Sequence, residues 1–229
     1  MTSREFILKI RKIYLNARKT MFSSTNSVLI RRITSHTVAS QVEDLFAKYC
    51  SAKLSNNAKY QILIDPQITF LTAKLRNKTG RKKMLIRPDV CVLRKLKGEW
   101  TAVAFFNVKM DLGLQRGGKK IILEENNRIE KILSREAKTN DGESKDAKDA
   151  ILFKISKSLK SHFVLVSDKN ISQKEIRKIM TIKRPNVMLH ILTGGRHLND
   201  YISSEEELMS SLKINRKYFE GIDRILKAL

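Results

Sequence analysis

The sequence predicts an α/β fold in which a mixed sheet is flanked by helices. Three observations lead there. Apolar runs of strand length, about residues 60–65, 84–95, 100–110, 162–166 and 187–192, alternate with helical periodicities. Lys97-Gly98-Glu99 joins two of these runs by a tight turn, which starts a meander. A helical stretch then separates the meander from the next strand, so the chain has to cross over the sheet.

Taken in order, residues 4–21 place Phe6, Ile7, Ile10, Ile13, Tyr14 and Ala17 at helical spacing, with Lys9, Arg11, Lys12, Arg18 and Lys19 between them. This is an amphipathic helix with a basic face. A second helix spans about 36–50, with Val38, Val42, Leu45, Phe46 and Tyr49 as its stripe and Glu43 beside it. The run at 60–65 is a strand closed by Asp65-Pro66, and 68–75 is a further short strand. The basic segment 74–83 is read as a loop turning at Gly80. In 100–110, the nearly unbroken apolar run 102–106 marks a central strand buried on both faces.

Arg116-Gly117-Gly118-Lys119-Lys120 interrupts the pattern, and a helix follows to about 133, carrying Ile121, Ile122, Glu125, Ile129 and Ile132. Residues 135–149 are polar and mixed in charge, which predicts a solvent loop. The pattern predicts helix at 150–160 and 171–183, and strands at 162–166 and 187–192, the latter stopped by Gly194-Gly195. Residues 203–228 are helical in two pieces, broken near 213–215. No internal repeat is present.

The 229 residues suit a single domain with a sizeable core. There are 46 Lys and Arg against 23 Asp and Glu, a formal net charge of +23, which points to a polyanionic partner. Nucleic acid comes first and an anionic membrane surface second. No apolar stretch is long enough to span a bilayer, and the start of the chain lacks the apolar region of a secretory signal. A cytoplasmic, nucleoid-associated location is expected. The basic residues 3–33, nearly free of acids, also fit a mitochondrial presequence. Cys50 and Cys91 have no CxxC or histidine partner in spacing, so they read as buried thiols. His36, His162, His190 and His197 lack zinc-ligand spacing and read as structural.

One constellation could carry chemistry. Phosphodiester hydrolysis needs a positioned water, neutralised phosphate charge and a stabilised leaving oxygen, which a divalent cation on carboxylates can supply. Asp89 opens one strand of the hairpin. Asn107 and Lys109 lie two residues apart near the end of the other, so they share one face. The hairpin brings those distant ends together. Lysine there can orient or deprotonate the water.

Pro88-Asp89 and Asn107-Val108-Lys109 resemble the PD-(D/E)xK nuclease superfamily, the group with a restriction-endonuclease-like core, and Met110-Asp111-Leu112 suits the family's strand end. Glu43, in Ser40-x-x-Glu43, resembles the helical glutamate that many members add. The resemblance implies an αβββαβ core over about 36–167, taken to 194 with the following strand, with helical additions at 1–35 and 195–229. It implies a metal-dependent endonuclease using Mg2+ or Mn2+, with Asp89, Asn107 and Glu43 as metal ligands and Lys109 as the catalytic lysine.

Asn107 departs from the pattern, because an amide keeps an oxygen ligand but loses the charge. Three explanations stand. The position is an inactivation, engineered or evolved; or the carboxylate comes from elsewhere, with Glu43, Asp65 and Asp111 as candidates; or the fold is kept to bind DNA without cutting it. Each residue also has a plainer reading. Pro88-Asp89 is ordinary turn chemistry, Lys109 an edge lysine and Glu43 a surface acid.

The partner expected is double-stranded DNA, with Arg81, Lys82, Lys83, Arg116, Lys119 and Lys120 contacting phosphates. The basic clusters at 9–19, 74–83 and 174–184 support a DNA-facing surface, and cutting both strands favours a homodimer. RNA binding by an unrelated basic α/β protein is the remaining class.

Overall fold

A computed structural model describes residues 1–22, 36–54, 59–70, 85–110, 118–140, 150–169, 186–195 and 204–229, with Ser172, Lys174, Ile176, Arg177, Thr181 and Leu198 singly. The elements in chain order are α1 (Ser3–Phe22), α2 (His36–Lys53), β1 (Tyr60–Ile64), β2 (Ile68–Phe70), β3 (Leu85–Ile86), β4 (Val90–Leu96) and β5 (Glu99–Lys109). Then follow α3 (Gly118–Ile132), β6 (Glu136–Asn140), β7 (Ala150–Ser167), β8 (Val187–Gly195), α4 (Glu205–Ser211), β9 (Leu212–Ile214) and α5 (Arg216–Ala228).

The strands make one mixed open sheet in the order β1-β4-β5-β7-β6-β2-β3, with β8 on β7 and β9 on β8. β1, β4 and β5 pair antiparallel, whereas β5/β7 and β7/β8 are parallel. The two-residue link Lys97-Gly98 has φ of 51° and 87°, the left-handed pair that closes a twisted hairpin. The parallel step from β5 to β7 passes through α3, the crossover that parallel pairing requires.

β1 runs on towards β2, and β3 towards β4, so these segments form one antiparallel ribbon with a kink at 65–67 and 87–89. The kink has a local cause. Pro66 and Pro88 have no N–H for a ladder, and Asp65 takes a left-handed φ of 51°. One bond still ties the two sides there, from the Asp65 N–H to the Asp89 carbonyl at 2.8 Å.

Alternation along β4 and β5 divides the interior. Val90, Val92, Ala104, Phe106 and Val108 join the core under α1, α2 and α5, while Cys91, Leu93, Ala102 and Phe105 join the core that includes Ile129 and Ile132 of α3. The first core is aromatic. Phe6 packs edge-on against Phe46, Tyr49 and Phe219, and Phe46 meets Phe106 at 5.2 Å between centroids. Each such fully buried side chain contributes roughly 1.5 to 3 kcal/mol. α1 and α5 are therefore part of this core; Phe6, Ile7 and Ile10 are fully buried.

The expected central strand is β5, with Phe105 and Phe106 both buried. Cys50 and Cys91 are buried free thiols, and burial pushes both up. Several expectations need correction. Residues 150–160 are strand, not helix: Phe153 and Ile155 are buried while Leu152 and Lys154 face out, a period of two over a segment too short to separate it from a helical stripe. Part of the expected loop at 135–149 is β6, whose Ala137 and Thr139 are buried by pairing with β7 and β2. The expected strand at 84–95 is cut in two at the kink. The break at 213–215 includes a short strand, β9, on β8. The predicted helix at 171–183, the loop at 74–83 and the rest of the strand at 68–75 lie largely or wholly outside the described residues.

His162 and His190 meet in the first core, Nδ1 to Nε2 at 3.2 Å, with Phe106 stacked on His162 at 4.8 Å. The Nε2 of His162 is buried without a partner. A proton on Nδ1 therefore suits His162, since it leaves only an acceptor bare. Burial first, then His190 and Lys160, pushes His162 down to about 3; burial pushes His190 down to about 4. The native state thus keeps both neutral, while the unfolded chain protonates them near 6.5. Their contribution is complete above pH 6.5 and is lost as pH falls towards 4, by about 3 kcal/mol for each histidine. Urea unfolding across pH 7 to 4 is expected to show this loss. His190→Asn should flatten the slope by close to one proton; an unchanged slope rules the pair out as its source.

Candidate active site

Where the ribbon leaves the sheet at Pro88, β5 continues for three residues beyond its ladder with β4, whose last pair is Val90 with Phe106. The Asp89 side chain closes this gap. Its Oδ2 accepts from the Val108 N–H at 2.6 Å and from Lys109 Nζ at 2.9 Å. Asp89 is mostly buried and Lys109 about one-third exposed, at 14% and 35%. A carboxylate that caps a strand end and also holds an ammonium one-third exposed makes a stiff, polar corner at the end of β5.

Glu43 reaches the same corner from α2. Its carboxyl is pushed up to about 7, first by burial and then by Asp89, with Asp65 and Asp44 adding to the effect and Lys109 opposing it. These charges therefore act on one another. Glu43, Asp89 and Lys109 were each read from the sequence as site residues; the fold puts Asp89 and Lys109 in contact and Glu43 near enough for its charge to act on theirs. Asp65 is also at this corner, paired with Arg87 through Nε to Oδ1 and Nη2 to Oδ2, both at 2.5 Å.

Asn107 has a different company. Its Nδ2 lies 3.4 Å from both Glu125 Oε1 and Ser161 Oγ. Ser161 donates to the same Glu125 oxygen at 3.0 Å, and Arg128 Nη1 reaches the other at 3.2 Å. Glu125 is 7% exposed and Ser161 fully buried. Sequence reading missed this cluster as a site feature. The available signal was an acid within the apolar stripe Ile122, Glu125, Ile129, a position that faces the sheet.

Asp89 and Glu43 are the pair that could hold a divalent cation, for they crowd negative charge that a cation would relieve. Among the described residues no three of His, Cys, Asp and Glu gather closely enough to hold a metal by themselves. Two carboxylates nonetheless suit magnesium, which keeps several waters and takes substrate phosphate oxygens.

A raised acid pKa has a defined consequence for folding. Between about pH 4.5 and 7 the native Glu43 binds more protons than the unfolded chain, so it becomes increasingly unfavourable as pH rises through that window. Glu43→Gln is expected to raise the melting temperature at pH 8 and to leave it unchanged near pH 4.5. Mn2+ is expected to raise that of the parent chain more than that of the variant. An equal Mn2+ response in both would remove Glu43 from the cation site.

Of the expected phosphate contacts, Arg81, Lys82, Lys83 and Arg116 lie outside the described residues, as does Asp111. Lys119 is in α3, with its side chain outside the description. Lys120 is exposed at the start of α3 and 3.8 Å from Glu124. In the cluster at 9–19, Lys9 and Lys12 are exposed, but Arg11 is buried and donates to the Leu198 carbonyl at 2.5 Å, so it serves the core. Among the described residues no helix is long and apolar enough to cross a membrane. No family model, curated protein or solved structure matches the chain.

Proposed function

We propose that the protein is a metal-dependent endonuclease acting on double-stranded DNA, built on a restriction-endonuclease-like core. The observation that carries this reading is the contact between Asp89 and Lys109 at the end of β5, with Glu43 near enough for its charge to act on theirs. Element order supports it: with the short strands β2, β3 and β6 set aside as insertions, α2, β1, β4, β5, α3 and β7 follow an αβββαβ order, with three antiparallel strands and then a parallel one. The net charge of +23 supports a polyanionic substrate.

Asp89 and Glu43 would hold Mg2+ or Mn2+, which when bound supplies charge neutralisation and an activated water. Lys109 would orient that water through its partly exposed ammonium while Asp89 holds it in position. Asn107 supplies no charge, and its side-chain amide meets the carboxylate of Glu125. We take Glu125 as the source of negative charge on this side of the site, in place of the position-107 carboxylate. Asp65 stays committed to Arg87. A homodimer would serve cleavage of both strands.

The test is plasmid nicking with Mg2+ and Mn2+ by the parent chain and by Asn107→Asp combined with Glu125→Gln, which returns the acid to the strand. Cutting by either supports the reading, provided Lys109→Ala abolishes it. If neither cuts DNA, the nuclease reading fails. One observation favours a second reading: Asn107 is tied into a satisfied polar cluster, as expected of a fold kept for DNA binding without cleavage. Binding of duplex DNA without nicking is its signature. Preference for RNA at fixed salt would instead favour an RNA-binding protein.

A further inference from the structure

We infer that Arg87, held in place by Asp65, is a phosphate-contacting residue of this site. The inference rests on the nuclease reading of the same corner and adds a substrate-binding group to it. Arg87 directly precedes the Pro88-Asp89 pair in the sequence.

The guanidinium is about half exposed, with 54% of the side chain open to solvent. Glu43 and Asp89 are near enough to act on its charge, after the dominant pairing with Asp65. Asp65 engages Nε and one Nη2 hydrogen. An arginine has five N–H groups, and among the described residues nothing engages Nη1, so that edge of the fork can meet a further acceptor. Planar two-point recognition of a phosphate uses such an edge.

The backbone around this pair is unusual for so exposed an ion pair. Asp65 has a left-handed φ of 51°, and the chain is kinked between Pro66 and Pro88. A simple surface pair contributes little to stability and needs no such frame. Here the frame holds the fork on a segment tied to the Asp89 backbone by the Asp65 N–H at 2.8 Å. Asp65 is a positioning residue, and Arg87 is the group that would meet the phosphodiester next to the scissile one.

The experiment measures binding of a duplex oligonucleotide in EDTA, where no cleavage occurs, over a series of salt concentrations. Parent chain, Arg87→Ala, Arg87→Lys and Asp65→Asn are compared, with melting temperatures alongside. Arg87→Ala is expected to weaken binding and to reduce the salt slope by about one. Arg87→Lys is expected to restore the slope but not the full affinity, because lysine keeps the charge and lacks the fork. Asp65→Asn is expected to weaken binding while leaving the slope intact. If the parent binds and Arg87→Ala binds with the same affinity and slope, the inference fails and the nuclease reading stands, whether or not the melting temperature falls. If the parent binds no duplex DNA, both fail together.

Discussion

Asn107→Asp is expected to destabilise the protein by about 2 to 3 kcal/mol near neutral pH, although it introduces the acid that the PD-(D/E)xK pattern carries at the resembling position. The amide nitrogen of Asn107 faces Glu125 and Ser161 at 3.4 Å. Replacing it with oxygen removes a donor and sets a second carboxylate against a buried one. Like charges at that distance cannot both stay ionised without cost, so one carboxyl takes up a proton. The penalty should therefore shrink as pH falls through the carboxylate range. Adding Glu125→Gln returns one acid and one amide to the same contact and should recover most of the loss. Urea titrations of the two single variants and the double give the coupling directly. Additive losses would show that the two side chains do not interact, and Glu125 would then be discarded as the source of charge.

Asp89→Ala is expected to have the largest effect on activity, reducing nicking by on the order of 100-fold or more. It should also cost about 1 to 3 kcal/mol, because the Val108 N–H and the Lys109 ammonium both lose their acceptor. Asp89→Asn separates these effects. An asparagine oxygen can still accept from Val108, so stability should fall less, whereas the charge opposite Lys109 and any cation is gone. A variant that melts near the parent temperature and does not cut is the expected result. Full cutting by Asp89→Asn would show that Asp89 only braces the strand end.

The roles of Asp89 and Asn107 differ in how far sequence could carry them. Asp89 and Lys109 sit at opposite ends of a hairpin whose two-residue turn, Lys97-Gly98, leaves little freedom in register. Local chemistry therefore already implied their meeting. Glu43 lies on a neighbouring helix, and its approach depends on α2 packing over β4 and β5 through Val42 and Phe46. The stripe that packs α2 was readable, so the side chain beside it was too. Glu125 lies 18 residues from Asn107, across the crossover to α3. Its buried role depends on how α3 seats against the sheet, which no short spacing encodes.

The misread strand at 150–160 has a related cause. Ala150-Ile-Leu-Phe-Lys-Ile155 is compatible with either period, and the choice falls to its partners β5 and β6. β6 itself is polar enough to read as a loop and becomes strand only by pairing on both sides.

The sequence alone determined the α/β class, the hairpin and its catalytic-looking ends, the buried central strand and the strongly basic character. Each follows from interactions between residues close in the chain, or from composition. Only the tertiary structure decided that Asp65 and Arg87 pair across a kink, that two histidines share the core, and that an acid on α3 stands against Asn107. Those depend on side chains 18 to 28 positions apart meeting through packed elements. Packing geometry, not local periodicity, sets such contacts.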